Sequence, residues 1–181
     1  MTFYGSKQLA ASFRTVRKNT IAIAEEIPAE KYDFMPVPGV RSVAGHLAHV
    51  TVMPRWQIDV HSRGMDFIDF AYFGQRIAQA AAEEQQLRGK EAIVAALAHD
   101  GETFASFLES FDDAKLAEAV GFPPPVQPSQ RTRFEMLLAV KEHEMHHRAQ
   151  LMMMQRMLGI VPHLTRQMQE RMAQHAAAPA R

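Results

Sequence analysis

The sequence predicts an all-α fold, and two observations carry that reading. Apolar residues recur mostly at three- and four-residue spacing rather than at two, and the positions between them are filled largely by Ala, Gln, Glu, Arg and Lys, which favour helix. With 181 residues, 47% of them hydrophobic and no long uninterrupted apolar run, the chain has material for one substantial core. A single helical domain over 1–181 is therefore expected, its core roughly within 5–159 and its C-terminal tail peripheral.

The elements follow in order. A first helix is expected from near Ser6 to about Ile27, with Leu9, Phe13, Val16, Thr20, Ile23 and Ile27 on one stripe and Pro28 ending it. The stretch from Glu30 to Arg41 holds Pro36, Pro38 and Gly39 and reads as an extended connector. Ser42 is an N-cap for a second helix that carries His46 and His49 and is kinked or ended at Pro54. Between His61 and Gly74 an irregular segment is expected, its Phe67, Phe70, Tyr72 and Phe73 either tucked onto the core or lining a mouth. A loose helix over 75–86 precedes a long one that passes through Ile93, Leu97, Phe104 and Leu108, with Asp112 and Asp113 just past its end. The prolines at 123, 124, 125 and 128 predict a stiff extended loop that delivers Ser129 as the cap of the next helix, which ends near Gly159. A short amphipathic helix from Thr165 and a frayed end over 176–181 complete the chain.

Composition narrows the function. Lys and Arg total 20 and so do Asp and Glu, so no basic field is available for a phosphate backbone, and nucleic acid is not expected as a partner. The start, Met1 to Lys7, lacks the basic and apolar blocks of a signal peptide and nothing resembles a membrane span, so the cytoplasm is the expected location. Cysteine is absent, so any metal must be held by His, Asp or Glu, and thiol chemistry would need an external thiol.

One stretch stands out: Lys141-Glu142-His143-Glu144-Met145-His146-His147-Arg148-Ala149-Gln150. His143 and His147, four residues apart on a helix, rise from one face and can share a metal ion. A third nitrogen ligand would complete a site with an open coordination position. The second helix offers two, His46 and His49, three residues apart with similar reach. His146 points about 100° from His147 and is not expected to ligate. His61, His99, His163 and His175 have no partner at useful spacing and read as structural or surface residues.

The run Tyr32-Asp33-Phe34-Met35-Pro36-Val37-Pro38-Gly39-Val40-Arg41-Ser42, then a helix with Ala48-His49-Val50, then His143-Glu144-Met145-His146-His147-Arg148-Ala149-Gln150-Leu151, resembles the DinB/YfiT-like family of metal-dependent enzymes across roughly 5–159. The resemblance implies a four-helix bundle with a long crossover connection and frequent homodimers. It also implies a divalent metal on one histidine of the second helix and two of the last long helix, which fall here on His49, His143 and His147. His49 is favoured over His46 on this alignment and because it lies in the apolar run Leu47-Ala48-His49-Val50. The family commonly has Gly where this chain has Ala149, which leaves the ligand assignment intact and changes packing beside the last ligand. His46, Glu144 and Gln150 are candidates for supporting the ligands.

Three neutral imidazoles suit zinc first and nickel second, with iron and manganese allowed. Such an ion, incompletely ligated, activates water or a thiol. Wider relatives, as the resemblance implies, use low-molecular-weight thiols in transferase or isomerase reactions. The expectation is therefore a metal-dependent enzyme acting on a small molecule, a thiol-dependent transferase or a hydrolase. The alternative is a non-catalytic stress or interaction protein whose ion clips the bundle together, and a closed four-ligand site would favour it.

Overall fold

The computed structural model describes residues 4–177. Helix α1 spans Ser6–Glu26 and buries Leu9, Phe13, Val16, Arg17, Thr20 and Ile23 along the stripe its spacing sets. The backbone turns extended at Ile27, ahead of Pro28. A 3-10 turn at Ala29–Lys31 opens the connector, and Tyr32 folds back to donate its hydroxyl to the Ala24 carbonyl at 2.8 Å. Helix α2, Val43–Val52, starts where the Ser42 hydroxyl accepts from the Gly45 amide at 3.1 Å. Pro54 interrupts it and occupies the first turn of α3, Pro54–Ser62, where its missing N–H costs nothing. The two short helices make one bent column.

Helix α4, Phe70–Gln86, begins earlier than the sequence implied, because Asp69 caps it by accepting from the Tyr72 amide at 2.7 Å. Tyr72 and Phe73 are therefore helical. Helix α5 spans Lys90–Glu109, and a short α6 at Asp113–Ala117 is capped by Asp112. The proline-rich loop joins a small antiparallel pair, β1 (Ala119–Gly121) and β2 (Gln130–Thr132), which the helical reading missed. Ser129 is accordingly not the cap of the next helix. Its carbonyl accepts from the Phe122 amide at 2.8 Å within that hairpin. Strand pairing carries the chain three residues further, and Thr132 caps α7, Arg133–Met157, in a capping box with Glu135. Helix α8, His163–Ala177, follows; of the end expected to fray, 178–181 lie outside the described residues.

The bundle is all-α at its core, with α1, the α2–α3 column, α5 and α7 around a shared interior. Ile23 and Ile27 meet Val43, Leu47, Ile93, Leu97, Leu151 and Met154 at one end. Leu9 and Phe13 meet Phe104, Leu108, Leu137 and Val140 at the other. These contacts make α1 and α7 run one way and α2–α3 and α5 the other. Two successive parallel members require a long crossover, and α4 supplies it, returning along the outside of the α2–α3 column. Among the described residues no helix is long and apolar enough to cross a membrane.

Between the two apolar ends lies one polar knot. Arg17 of α1, 3% exposed, donates through Nε to both carboxylate oxygens of Glu144 on α7, at 2.9 and 3.0 Å, and through Nη2 to Oε2 at 2.8 Å. The same guanidinium donates to the Leu97 carbonyl of α5 at 3.0 Å and the Val50 carbonyl of α2 at 2.9 Å. Gly101 of α5 makes room, since a Cβ there would sit 2.6 Å from Arg17 Cγ. A second buried cation, Arg133, reaches Glu118 at 2.9 Å and His61 Nδ1 at 2.9 Å, while His61 Nε2 meets Gln57 at 3.0 Å. This pins the start of α7 to α3. Burial, then the neighbouring Arg133 charge, lowers His61 to about 4.

Removing one partner of the knot strands a charge in the core, so Arg17→Met is expected to lower the unfolding free energy by about 3–5 kcal/mol. Adding Glu144→Leu to it should recover most of that loss. Urea denaturation of the single and double variants checks both, and a single-variant loss under about 1 kcal/mol would contradict this role for the pair.

Candidate metal centre

Helices α2 and α7 lie side by side, and His49 from one faces His143 and His147 from the other. The i, i+4 spacing puts the two α7 rings one turn apart on the face turned to α2. His143 Nε2 stands 3.2 Å from His49 Nε2 and 3.1 Å from His147 Nε2. Among the described residues these three form one group able to supply a ligand atom each, the atoms all within 4.8 Å of one another.

The donor set fits a cation. Three nitrogens bound at ordinary zinc–nitrogen lengths in a tetrahedron stand about 3.3 Å apart, close to the two spacings of 3.2 and 3.1 Å about His143. With His49 and His147 each protonated at Nδ1, both turn an Nε2 lone pair to this point, and His143 Nε2 either donates to one of them or adds a third lone pair for a cation. Burial, then the charge of neighbouring His49, lowers His143 to about 4. Burial, then His143, lowers His147 to about 3, and burial is the main cause that lowers His49. All three rings are thus neutral at pH 7, the form that offers a lone pair.

The outer nitrogens are oriented by other side chains. His49 Nδ1 lies 2.7 Å from Glu84 Oε1, and Glu84 Oε2 accepts from Arg41 at 3.0 Å. Arg41 Nη2 is also 3.2 Å from His49 Nδ1. Two donors cannot share a hydrogen bond, so a protonated Nδ1 donates to Glu84 and leaves Nε2 as the free lone pair. His147 Nδ1 is 2.8 Å from Gln150 Oε1, which fixes that ring in the same way. His46 is turned aside, its Nδ1 3.0 Å from the Ser42 carbonyl and its Nε2 3.0 Å from Gln150. It braces Gln150 and stands outside the group of three.

Glu144 supports the core rather than the histidines. Consecutive helical residues diverge by about 100°, so with His143 facing α2, Glu144 points inward to Arg17 and is 1% exposed. Glu84 is the residue that sequence reading missed. It sits in an Ala- and Gln-rich stretch with Glu83 beside it, and nothing local distinguishes the two; only the packing of α4 on α2 selects Glu84.

A cleft of about 970 Å³ runs between α2–α3 and α4, touches His49 and Glu84, and has Trp56 and Phe73 among its lining residues; neither His143 nor His147 lines it. A smaller one of about 350 Å³, lined by Phe70, Phe122, Pro123 and Val126, touches none of the three histidines.

The model of the DinB superfamily matches residues 12–151, which contain all three histidines. No curated protein matches the chain. Among solved structures, a DinB-like protein of Bacillus subtilis, YjoA, superposes with a TM-score of 0.62 at 19% identity, over 84% of this chain and 92% of that one. A Streptococcus pneumoniae protein gives 0.64 at 12% identity, covering 86% and 93%. The colibactin self-resistance protein ClbS, in complex with double-stranded DNA, gives 0.63 at 14% identity, covering 83% and 95%. This last comparison corrects the exclusion of nucleic acid drawn from net charge, since a protein of this fold is held on a duplex. A zero sum over the whole chain does not describe the local field at a surface, and local cations decide phosphate contacts. The similar structures share the fold, and the match of the family model over most of its length shows that this chain belongs to the DinB superfamily.

Proposed function

We propose that the protein is a divalent-metal enzyme in which His49, His143 and His147 hold the ion and a small molecule, water or a low-molecular-weight thiol, is activated beside it for hydrolysis or thiol transfer. One observation carries the reading: three neutral Nε2 atoms converge with no fourth member in their group, His46 being engaged by Ser42 and Gln150. Structural zinc sites are closed by four protein ligands, whereas three leave a position for exchange. Zinc or nickel suits imidazole donors best, with iron or manganese compatible. A bound ion supplies Lewis acidity and lowers the pKa of water or a thiol in its open position. The chain's own residues hold the rings: Glu84 accepts a hydrogen bond from His49 Nδ1, Gln150 accepts one from His147 Nδ1, and Arg41 holds Glu84 in place. With no cysteine in the chain, a thiol nucleophile must come from a cosubstrate.

The His143→Ala and His147→Ala proteins are expected to retain almost no metal after dialysis, and His49→Ala likewise, while His46→Ala keeps about one ion per chain. Elemental analysis of untagged protein decides this. Stoichiometric metal in the first two variants would remove the site, and loss in His46→Ala would point to a closed, structural centre.

Glu84→Gln should weaken metal affinity about 10- to 100-fold with the fold retained, the usual cost of losing a carboxylate behind a ligating imidazole. Competition titration with a chelator gives the number, and unchanged affinity would mean that Glu84 does not orient His49.

The catalytic reading itself is tested on Co(II)-substituted protein. Azide, imidazole or a small thiol should shift the visible bands saturably as an exogenous donor enters the open position. A spectrum indifferent to all three at millimolar concentration would favour the ion as a clip for the bundle.

A further inference from the structure

The larger cleft lies behind the metal ligands rather than over them. Of the three histidines only His49 lines it, on the side where Glu84 and Arg41 back its Nδ1 edge. The three converging nitrogens are on the opposite edge of that ring.

Its walls carry an unmet demand for apolar contact. Helix α4 has no fully buried residue, yet its inner stripe includes Phe73 and Ile77, which line the cleft and remain 44% and 55% exposed. Across from them, beside His49, α2 presents Ala44, Gly45 and Ala48, which are too small to fill the gap. Its two ends are marked by different groups. Trp56 and Phe73 meet edge to face at one end, ring centroids 6.2 Å apart. At the other, Lys90 ties the start of α5 to the end of α1 by donating to the Glu25 carbonyl at 2.6 Å and the Ile27 carbonyl at 2.8 Å. A cleft of about 970 Å³ is within the size range of small-molecule sites. Arg88 and Asp33 both stand at the Lys90 end, so the polar head of that molecule meets charges of both signs.

We propose that the cleft between the α2–α3 column and α4 is a second, metal-independent binding site for a small amphipathic molecule, its flat apolar body against Trp56, Phe73 and Ile77 and its polar head toward Arg88 and Asp33. The site does not depend on the metal reading, because it uses no converging nitrogen.

The chain has a single tryptophan, Trp56, in the cleft wall, so occupancy has an intrinsic reporter. N-phenyl-1-naphthylamine, a neutral ring-bodied probe, should show saturable energy transfer from Trp56 with one site per chain. The same affinity, within about twofold, is expected in the His143→Ala/His147→Ala protein, which separates this site from the metal centre. Ala80→Phe, which plugs the cleft, should weaken binding by about tenfold or more, and Ala78→Phe, on the exposed side of α4, should not. Circular dichroism confirms that each variant is folded; should Ala80→Phe fail to fold, Ile77→Asp, at an exposed position, takes its place with the same expected loss. Unsaturable binding, equal affinity in the plugged and control variants, or loss of binding in the histidine double variant would each overturn the proposal.

Discussion

The buried pair of Arg17 and Glu144 is the constraint around which the bundle is arranged. A single guanidinium on α1 reaches α7 through a carboxylate and α2 and α5 through main-chain carbonyls, so all four columns are held to one point. Both charges are out of water, and leaving either one alone is costly, so alternative packings that separate them are penalised. Gly101 shows how closely the surroundings are fitted, since even a methyl group would strike the arginine stem. The apolar clusters on either side then fill the two ends of the bundle.

The same pair sets the rotation of α7 about its axis. Glu144 lies between His143 and His147 in sequence and faces inward, which leaves the two histidines on the adjacent face, turned to α2. A rotation of one residue would bury an imidazole and expose the carboxylate. The knot therefore also fixes where the three nitrogens converge. His49 is matched to them from the other side, since Val50, the next residue, gives its carbonyl to Arg17. Core and candidate site are coupled through neighbours in the chain.

Around the cluster, orientation comes from three different elements. Gln150, one turn along α7, holds His147; His46 on α2 braces Gln150; and Glu84 on the crossover helix holds His49. Helix α4 buries no residue fully, and its attachment relies on ionic contacts such as Arg55 to Glu83 at 2.7 Å and Arg76 to Asp59 at 3.1 Å. Solvent-accessible pairs of this kind contribute little stability each. The crossover thus gives the site a carboxylate while burying none of its own residues fully.

The sequence by itself determined the helices and the pairing of His143 with His147, because both depend on local periodicity: apolar spacing places the stripes of α1, α5 and α7, Ser42 caps α2, and four residues separate two rings on one face. With the family pattern added, it also singled out His49. It did not reveal the hairpin between α6 and α7, where proline-rich segments hide short strands, nor the shift of the α7 cap from Ser129 to Thr132 that the hairpin causes. Glu144 was placed near the histidines when it faces the core, and its partner Arg17 lies 127 residues away. Glu84 was passed over among equivalent polar residues. The cleft between the α2–α3 column and α4 likewise depends on how one helix lies over another. Contacts between residues distant in the chain leave no periodic trace, so only the tertiary structure decided which polar side chains turn inward, which meet the site, and which space is left unfilled.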